Sequence, residues 1–481
     1  MQTEQKLVED IEKCMKASAI WGRMAQRGES HLLLMFPLYY SYLVANKGTM
    51  GIADEDALLD PAAVTQSIGV SYTLGGFFER LVALRGEDVE LPRIDAKELA
   101  QTFPTLEVLR DILAIAQAGQ TLLAEDESYV VARAILVVVN DRFPRQMGRY
   151  GADCTTPGTT ARLFSAIASP AGRSVEDFAC GYGASLAAAA AAGAASLRGW
   201  DIDRHAVLCA RINCFFATLS GVDRADDRAL CNIGLGDLTD FGNVAPGAYD
   251  VVMVAPPLGA KLQSIEGAGT DKYRNTVKDL LGWDVQAPKT MDELAVARAL
   301  ADVNDDGVAI MHTTMGVLFR ESNADRGLRN NLIEHGSLYA VIELPSGTAA
   351  GTAINMCVLV FGRKRRYKDI LLVNMADESL GAKGFYDTSR GPRSYGVTDA
   401  GITWLKGVLE RREEIEGIAK LITESDYREH GETLVFAQYG LSREDGLSNV
   451  RAREDVIRDI DLHAHRAQAI GQDIETVLTK L

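Results

Sequence analysis

The sequence predicts an α/β protein with a Rossmann-like, seven-stranded sheet flanked by helical N-terminal and C-terminal regions, and three observations carry that reading. Residues 174–193, SVEDFACGYGASLAAAAAAG, join a short apolar strand to an alanine-rich helix through two glycines, Gly181 and Gly183. Stretches at 197–203, 230–237 and 249–258 read as further strands, ending on a carboxylate or a double proline. Hydrophobic residues form 47% and charged residues 24% of the 481-residue chain, which suits a large packed core and excludes disordered and fibrous classes.

In the first stretch Val175, Phe178 and Ala179 form the buried strand, and glycine removes the Cβ where the chain must turn tightly. Strand, glycine turn and helix N-terminus together make a nucleotide-type site at the carboxyl edge of a sheet. Taken alone, the same pattern also fits a tight turn that holds no ligand. The second strand ends in Asp201, 24 positions after Asp177, where a carboxylate can accept hydrogen bonds from both ribose hydroxyls. Asp237 closes the third strand, and the fourth runs into Pro256 and Pro257.

These residues carry a resemblance. Asp177-Phe178-Ala179-Cys180-Gly181-Tyr182-Gly183 resembles the (D/N)PACGSG motif of S-adenosylmethionine-dependent DNA methyltransferases that modify exocyclic amino groups, and Ala255-Pro256-Pro257-Leu258 stands where that family has NPP(F/Y). The fuller match is to the modification subunit of type I restriction-modification systems: Thr156-Pro157 matches its TP signature, 307–319 its GGR-strand-GVLF segment, and 341–361 its LP-G-xxx-T-x-I-strand segment. The resemblance implies an adenine-N6 DNA methyltransferase subunit. Thr156, Pro157, Asp177, Ala179, Gly181, Gly183, Asp201 and Asp237 would bind S-adenosyl-L-methionine, and Ala255, Pro256, Pro257 and Leu258 would hold the target base. Implied partners are DNA, a specificity subunit, a restriction subunit and a second copy of the chain.

Two positions depart from that motif. The family's asparagine accepts from the target amino group and its aromatic stacks on the flipped base; here Ala255 offers no side-chain acceptor and Leu258 no π-face. Cys154 and Thr155 also replace the aromatic that precedes TP. The sequence therefore leaves open a DNA methyltransferase, a methyltransferase-fold scaffold or sensor that binds cofactor without methylating DNA, and a methyltransferase for a protein or small molecule suited by the apolar APPL wall.

A net charge of −16 argues against a protein that grips DNA over its whole surface and points to a local basic patch or a basic partner. The seven cysteines form no CxxC pair and the seven histidines show no ligand spacing to them, so no metal site is expected. The polar N-terminal stretch and the lack of a leucine-rich span imply a cytoplasmic protein without a membrane segment.

In chain order, 1–145 reads as a helical domain, 146–375 as the catalytic domain and 376–481 as a helical region for partner docking. Tyr39, Tyr40 and Tyr42 are expected to pack within a helix, His205 to lie on the surface, and His312 to end a strand near the pocket. Residues 259–290 read as a mobile loop with Trp283 as a packing anchor, and 363–368 as the first candidate for phosphate contact. The strands at 338–343 and 353–361 are expected to complete the sheet with a reversed edge strand. Long helical patterns follow through Leu421 and again from Ile457 to Leu478.

Overall fold

The computed structural model describes residues 4–18, 20, 31–67, 73–87, 89–124, 128–144, 155–220, 230–258, 262, 268–283, 285, 288–350, 352–389 and 396–439. The N-terminal part is a layer of helices: α1 (Glu4–Lys16), α2 (Leu32–Asn46), α3 (Pro61–Ser67), α4 (Leu74–Leu81), α5 (Ala96–Thr102), α6 (Leu106–Leu123) and α7 (Ser128–Val137), closed by a π-helical turn, Val138–Arg142. Helix α2 is apolar all round because it is buried all round. Its three tyrosines pack as expected: Tyr39 meets Phe215 edge to face at 5.5 Å, and the Tyr40 hydroxyl donates to the Leu58 carbonyl at 2.7 Å. Thr73, Asp95 and Thr105 cap the helices that follow them.

The second part alternates α8 (Gly158–Ala168), β1 (Ser174–Asp177), α9 (Ala184–Ala191), β2 (Ser196–Asp201), α10 (Arg204–Leu219), β3 (Leu230–Leu235), β4 (Tyr249–Val254), α11 (Ala268–Leu281), α12 (Met291–Asp302), β5 (Val303–Thr314), α13 (Asn323–Glu334) and β6 (Leu338–Glu343). It ends with β7 (Met356–Phe361), β8 (Ile370–Asn374), α14 (Glu378–Ala382), α15 (Asp399–Arg411), β9 (Ala419–Ile422) and α16 (Glu424–Glu429). The sheet has the order β3-β2-β1-β4-β5-β7-β6-β8-β9. Helices α8, α9, α10 and α15 cover one face and α11, α12 and α13 the other, each with its own apolar core.

Four sequence expectations are corrected here. The sheet has nine strands among the described residues rather than seven, and the reversed strand β7 is internal, antiparallel to β5 on one side and β6 on the other. Residues 370–374, ILLVN, extend the sheet beyond β6, and β9 adds a strand from the region expected to be helical. The helical pattern of 399–421 stops at Arg411 because Arg412 turns left-handed (φ 48°) and its N–H and that of Glu413 close back on the Val408 carbonyl. Residues 268–281, expected within a loop, form α11: Tyr273 and Val277 share one face and bury it against Phe241 and α12. The terminal helical pattern beyond Ile457 lies outside the described residues.

The basic run at 363–368 lies away from the candidate site. It follows the antiparallel β7 and so lies at the sheet edge opposite the strand ends that carry the candidate site. Lys364 and Arg363 face Asp305, at 2.8 and 3.8 Å, while Arg366 donates to the carbonyls of Asp306 and Gly307. These charges close the sheet's lower edge.

A buried ionic group supports the upper edge. Arg298 is paired with Asp302 one helical turn away, and its guanidinium donates to the carbonyls of Asp240 at 3.0 Å and Asn243 at 2.8 Å. Asp302 accepts the Ala245 N–H at 2.6 Å. Glu176 lies fully buried nearby; its carboxyl accepts from Trp200 Nε1 at 3.2 Å, and burial together with the Asp302 carboxylate pushes its pKa up to about 8. Removing the cation would leave the buried Asp302 carboxylate without its partner and the Asp240 and Asn243 carbonyls without their donor. Arg298→Met should therefore destabilise the protein by about 3–5 kcal/mol, as read by denaturant unfolding, and a loss below about 1 kcal/mol would refute this role.

Candidate functional site

The site grows from the carboxyl ends of β1 and β2. Strand β1 ends at the buried Asp177, whose Oδ1 accepts the Ala179 N–H at 3.1 Å. Burial raises the pKa of Asp177 to about 7, with the Asp201 carboxylate adding to the rise. The chain then crosses to β2, where the Cys180 N–H bonds the Trp200 carbonyl at 2.9 Å. Gly181 (φ 51°) and Gly183 (φ 81°) both take the left-handed conformation that the turn requires. A Cβ on Gly183 would stand 2.7 Å from Ala210 Cα, so this glycine also lets α10 approach the loop.

Asp201 ties the pieces together. Its Oδ2 accepts the Gly181 N–H at 2.8 Å and its Oδ1 accepts the Asp203 N–H at 2.9 Å, leaving further lone pairs for a ligand. Burial raises its pKa. Asp203 in turn caps α10 through the His205 N–H at 2.8 Å. Leu235, the register partner of Asp201 on β3, is 45% exposed, and Ile202 is 73% exposed. The Gly236 N–H bonds the Asp201 carbonyl at 3.0 Å and sets the exposed Asp237 beside this edge, where its Oδ1 accepts from the Thr239 N–H and hydroxyl.

Thr156 and Pro157 precede α8, with Pro157 in the cap position. The Thr160 hydroxyl of α8 donates to the Thr348 carbonyl at 2.8 Å, joining the TP segment to the loop before β7. On the other side of β1, β4 runs into Ala255, half-buried, Pro256, buried, and the exposed Pro257 and Leu258. The topology thus brings the ten expected residues at 177–237 and 255–258 to the same ends of neighbouring strands, those at 177–237 at β1 to β3 and the APPL segment at β4, while Thr156 and Pro157 stand at the start of α8.

His312 is buried against Phe164 at 5.4 Å and burial lowers its pKa to about 4, so it is a neutral packing histidine. His205 is half-buried against the helical layer, with its Nδ1 3.3 Å from the Thr102 hydroxyl. Trp283 is buried beside His335, which makes it the anchor expected. Sequence reasoning missed Glu176, Asn140 and Asp141, polar residues set inside apolar runs. That mismatch with their surroundings was the available signal.

Strand order and the paired glycine and carboxylate devices define the chain as a Rossmann-like α/β protein with the candidate site at the β1 switch point. Residues 139–445 match the model of the N-6 DNA Methylase family, and the chain belongs to that family. The Type I restriction enzyme MpnII methylase subunit of Mycoplasma pneumoniae is 27% identical over 195 residues, 40% of this chain. The chain spans a third (33%) of that relative's length. The type I restriction-modification methyltransferase subunit of Streptococcus thermophilus superposes with a TM-score of 0.62 at 18% identity, covering 91% of this chain and 99% of that one. A chain from a structure addressing complex assembly and conformational transition of the type I R-M system gives 0.61 at 16% identity, covering 100% and 99%. These likenesses show the shared fold. Among the described residues no helix is long and apolar enough to cross a membrane.

Gly183 is the test of this architecture. Gly183→Ala forces a left-handed alanine against Ala210 and should cost about 2–4 kcal/mol in unfolding free energy, whereas Gly172→Ala, left-handed but with open space around it, should cost about 1–2 kcal/mol.

Proposed function

We propose that this chain binds S-adenosyl-L-methionine and acts as the adenine-N6 DNA methyltransferase subunit of a type I-like restriction-modification or related defence system, with DNA and a specificity subunit as partners. The Asp201–Gly181 hydrogen bond carries the reading, because it fixes a glycine loop and a ribose-type carboxylate in one unit. The residues present fit the group. Asp201 keeps lone pairs for two hydroxyls, the exposed Ile202 and Leu235 offer apolar faces to a purine, and Asp237 stands where an exocyclic amine would donate.

When bound, the cofactor supplies an activated methyl group. The chain's own part is to orient and to polarise. Asp177 and Asp201 would face the ligand's positive charge at the strand ends, and the Ala255-Pro256-Pro257 backbone would position the target amine for transfer. No strong base is required. The specific observation favouring the second reading, a cofactor-binding scaffold or sensor, is the pair Ala255 and Leu258, where polarising and stacking side chains are both replaced by aliphatic ones.

The two readings part on one experiment. Radiolabelled methyl incorporation into DNA, with partner subunits present, should rise by about a hundredfold in Ala255→Asn/Leu258→Phe over the unmodified chain. Robust transfer by the unmodified chain defeats the scaffold reading; transfer by neither defeats the methyltransferase one. For the cofactor, Asp201→Ala should weaken binding by about 1.5–3 kcal/mol in calorimetry. Because the ligand is cationic and Asp177 stays protonated up to a pKa of about 7, affinity should rise as pH increases from about 5.5 and level off above about 7.5, with one proton released below the pKa. A flat profile would show that Asp177 does not face the ligand's charge.

A further inference from the structure

Two adjacent residues of one distorted turn reach both walls of the proposed cofactor site. The π-helical turn Val138–Arg142 ends the helical layer, and such turns are frequent at functional positions. Asn140 and Asp141 are both buried, 8% and 7% exposed. Asn140 exchanges two hydrogen bonds with Asn213 of α10: its Nδ2 donates at 2.9 Å and its Oδ1 accepts at 2.7 Å. The Asn213 amide also donates to the Tyr182 carbonyl at 3.1 Å, midway between the two left-handed glycines.

Asp141 holds the other wall. Its Oδ1 accepts the Thr159 N–H at 3.0 Å at the start of α8, three residues beyond Thr156, and the Arg162 guanidinium meets its Oδ2 at 3.3 Å. A Cβ on Gly158 would lie 2.8 Å from that carboxylate, so only glycine admits it. His31, just before α2, stacks its ring on Tyr182 with centroids 4.5 Å apart and planes 7° from parallel.

We propose that Asn140 and Asp141 are positioning residues for the cofactor, coupling S-adenosyl-L-methionine binding at Thr156–Pro157 and Gly181–Gly183 to docking of the N-terminal helical layer. The inference rests on the cofactor reading above. A glycine turn has many accessible conformations, so something must select one; here the Tyr182 carbonyl is held by an amide whose orientation Asn140 sets. Undocking the layer removes that partner and the Thr159 cap together, which loosens both walls at once. By linkage, a ligand that needs both walls ordered tightens docking by the same factor. The apolar contacts of Phe215 and Phe216 with the layer hold it in place but are non-directional and do not orient the loop.

The test uses the full-length chain, calorimetry and hydrogen exchange with and without S-adenosyl-L-methionine. In the unmodified protein the cofactor should slow exchange not only at 174–183 and 196–203 but also at 32–46 and 128–144. Asn140→Ala should weaken binding by about tenfold and abolish the remote protection, while saturating cofactor still protects the sheet edge. Asp141→Ala should act likewise, and Asp141→Asn, which keeps an acceptor for the Thr159 N–H, should restore most of the affinity. Protection confined to the sheet edge in the unmodified protein, or an Asn140→Ala protein with unchanged affinity and remote protection, overturns the coupling alone. An unmodified chain that binds no cofactor overturns the cofactor reading and the coupling with it. The unmodified protein's exchange pattern decides the matter even where a variant fails to fold.

Discussion

The close approach of α10 to the glycine loop is the constraint on which the rest of the molecule depends. One face of the helix (Val207, Ala210, Cys214) is buried in the core above the sheet, and another (Leu208, Ile212, Phe215, Phe216) in the core of the helical layer. A helix buried on both sides has nowhere to shift. Gly183 sets how near it comes, Asp203 fixes where it begins, and Asn213 bonds from it to the loop, so the glycine turn, the Asp201 carboxylate and the N-terminal layer share one rigid element. The two phenylalanines alone remove enough apolar surface from water to contribute several kcal/mol, about 1.5–3 kcal/mol each.

Polar groups inside that frame act by direction rather than by strength. The Arg298–Asp302 pair gains little over a well-packed apolar pair of similar volume, since both charges lose their water. What it supplies is placement: its donors and acceptors end on the backbone at 240, 243 and 245, the turn that follows Asp237. Asn140 and Asp141 work in the same manner at the other end of the site. In both cases a buried polar residue bonds backbone groups at the ends of helical turns, Asp240 and Asn243 about the turn at 241–243 and Thr159 at the start of α8.

Legibility in the sequence followed how local the cause was. The strand, glycine turn and carboxylate at 174–201 were readable because each residue's position is set by near neighbours, and the candidates at 177–237 and 255–258 come to the same ends of β1 to β4. The position of β7 was not readable, because a strand of Met, Cys, Val, Leu and Phe buried on both faces looks alike at an edge or in the interior; only pairing with both β5 and β6 distinguishes them. The helix at 268–281 was hidden by its many charges and glycine-containing start, with Tyr273 and Val277 its few apolar markers. The placement of the basic run at 363–368 was hidden for a different reason. Its charge was plain, but the direction of β7, which carries it away from the site, depends on topology.

That topology also explains how one half of such a site can be altered without disturbing the other. Strand β1 is the switch point: β2 and β3 lie on one side of it and carry Asp201, Ile202, Leu235 and Asp237, while β4 and β5 lie on the other and carry the APPL segment. The supports divide in the same way. Asp203, Asn213 and the Gly236 N–H hold the cofactor half, and none of these bonds involves Ala255 or Leu258. Replacing an asparagine and an aromatic on β4 with alanine and leucine removes a hydrogen-bond acceptor and a stacking face, and leaves the hydrogen bonds of the glycine loop unchanged. The residues proposed for cofactor binding and those proposed for base modification are therefore separable, since they stand on different strands, and the sheet order is what makes them so.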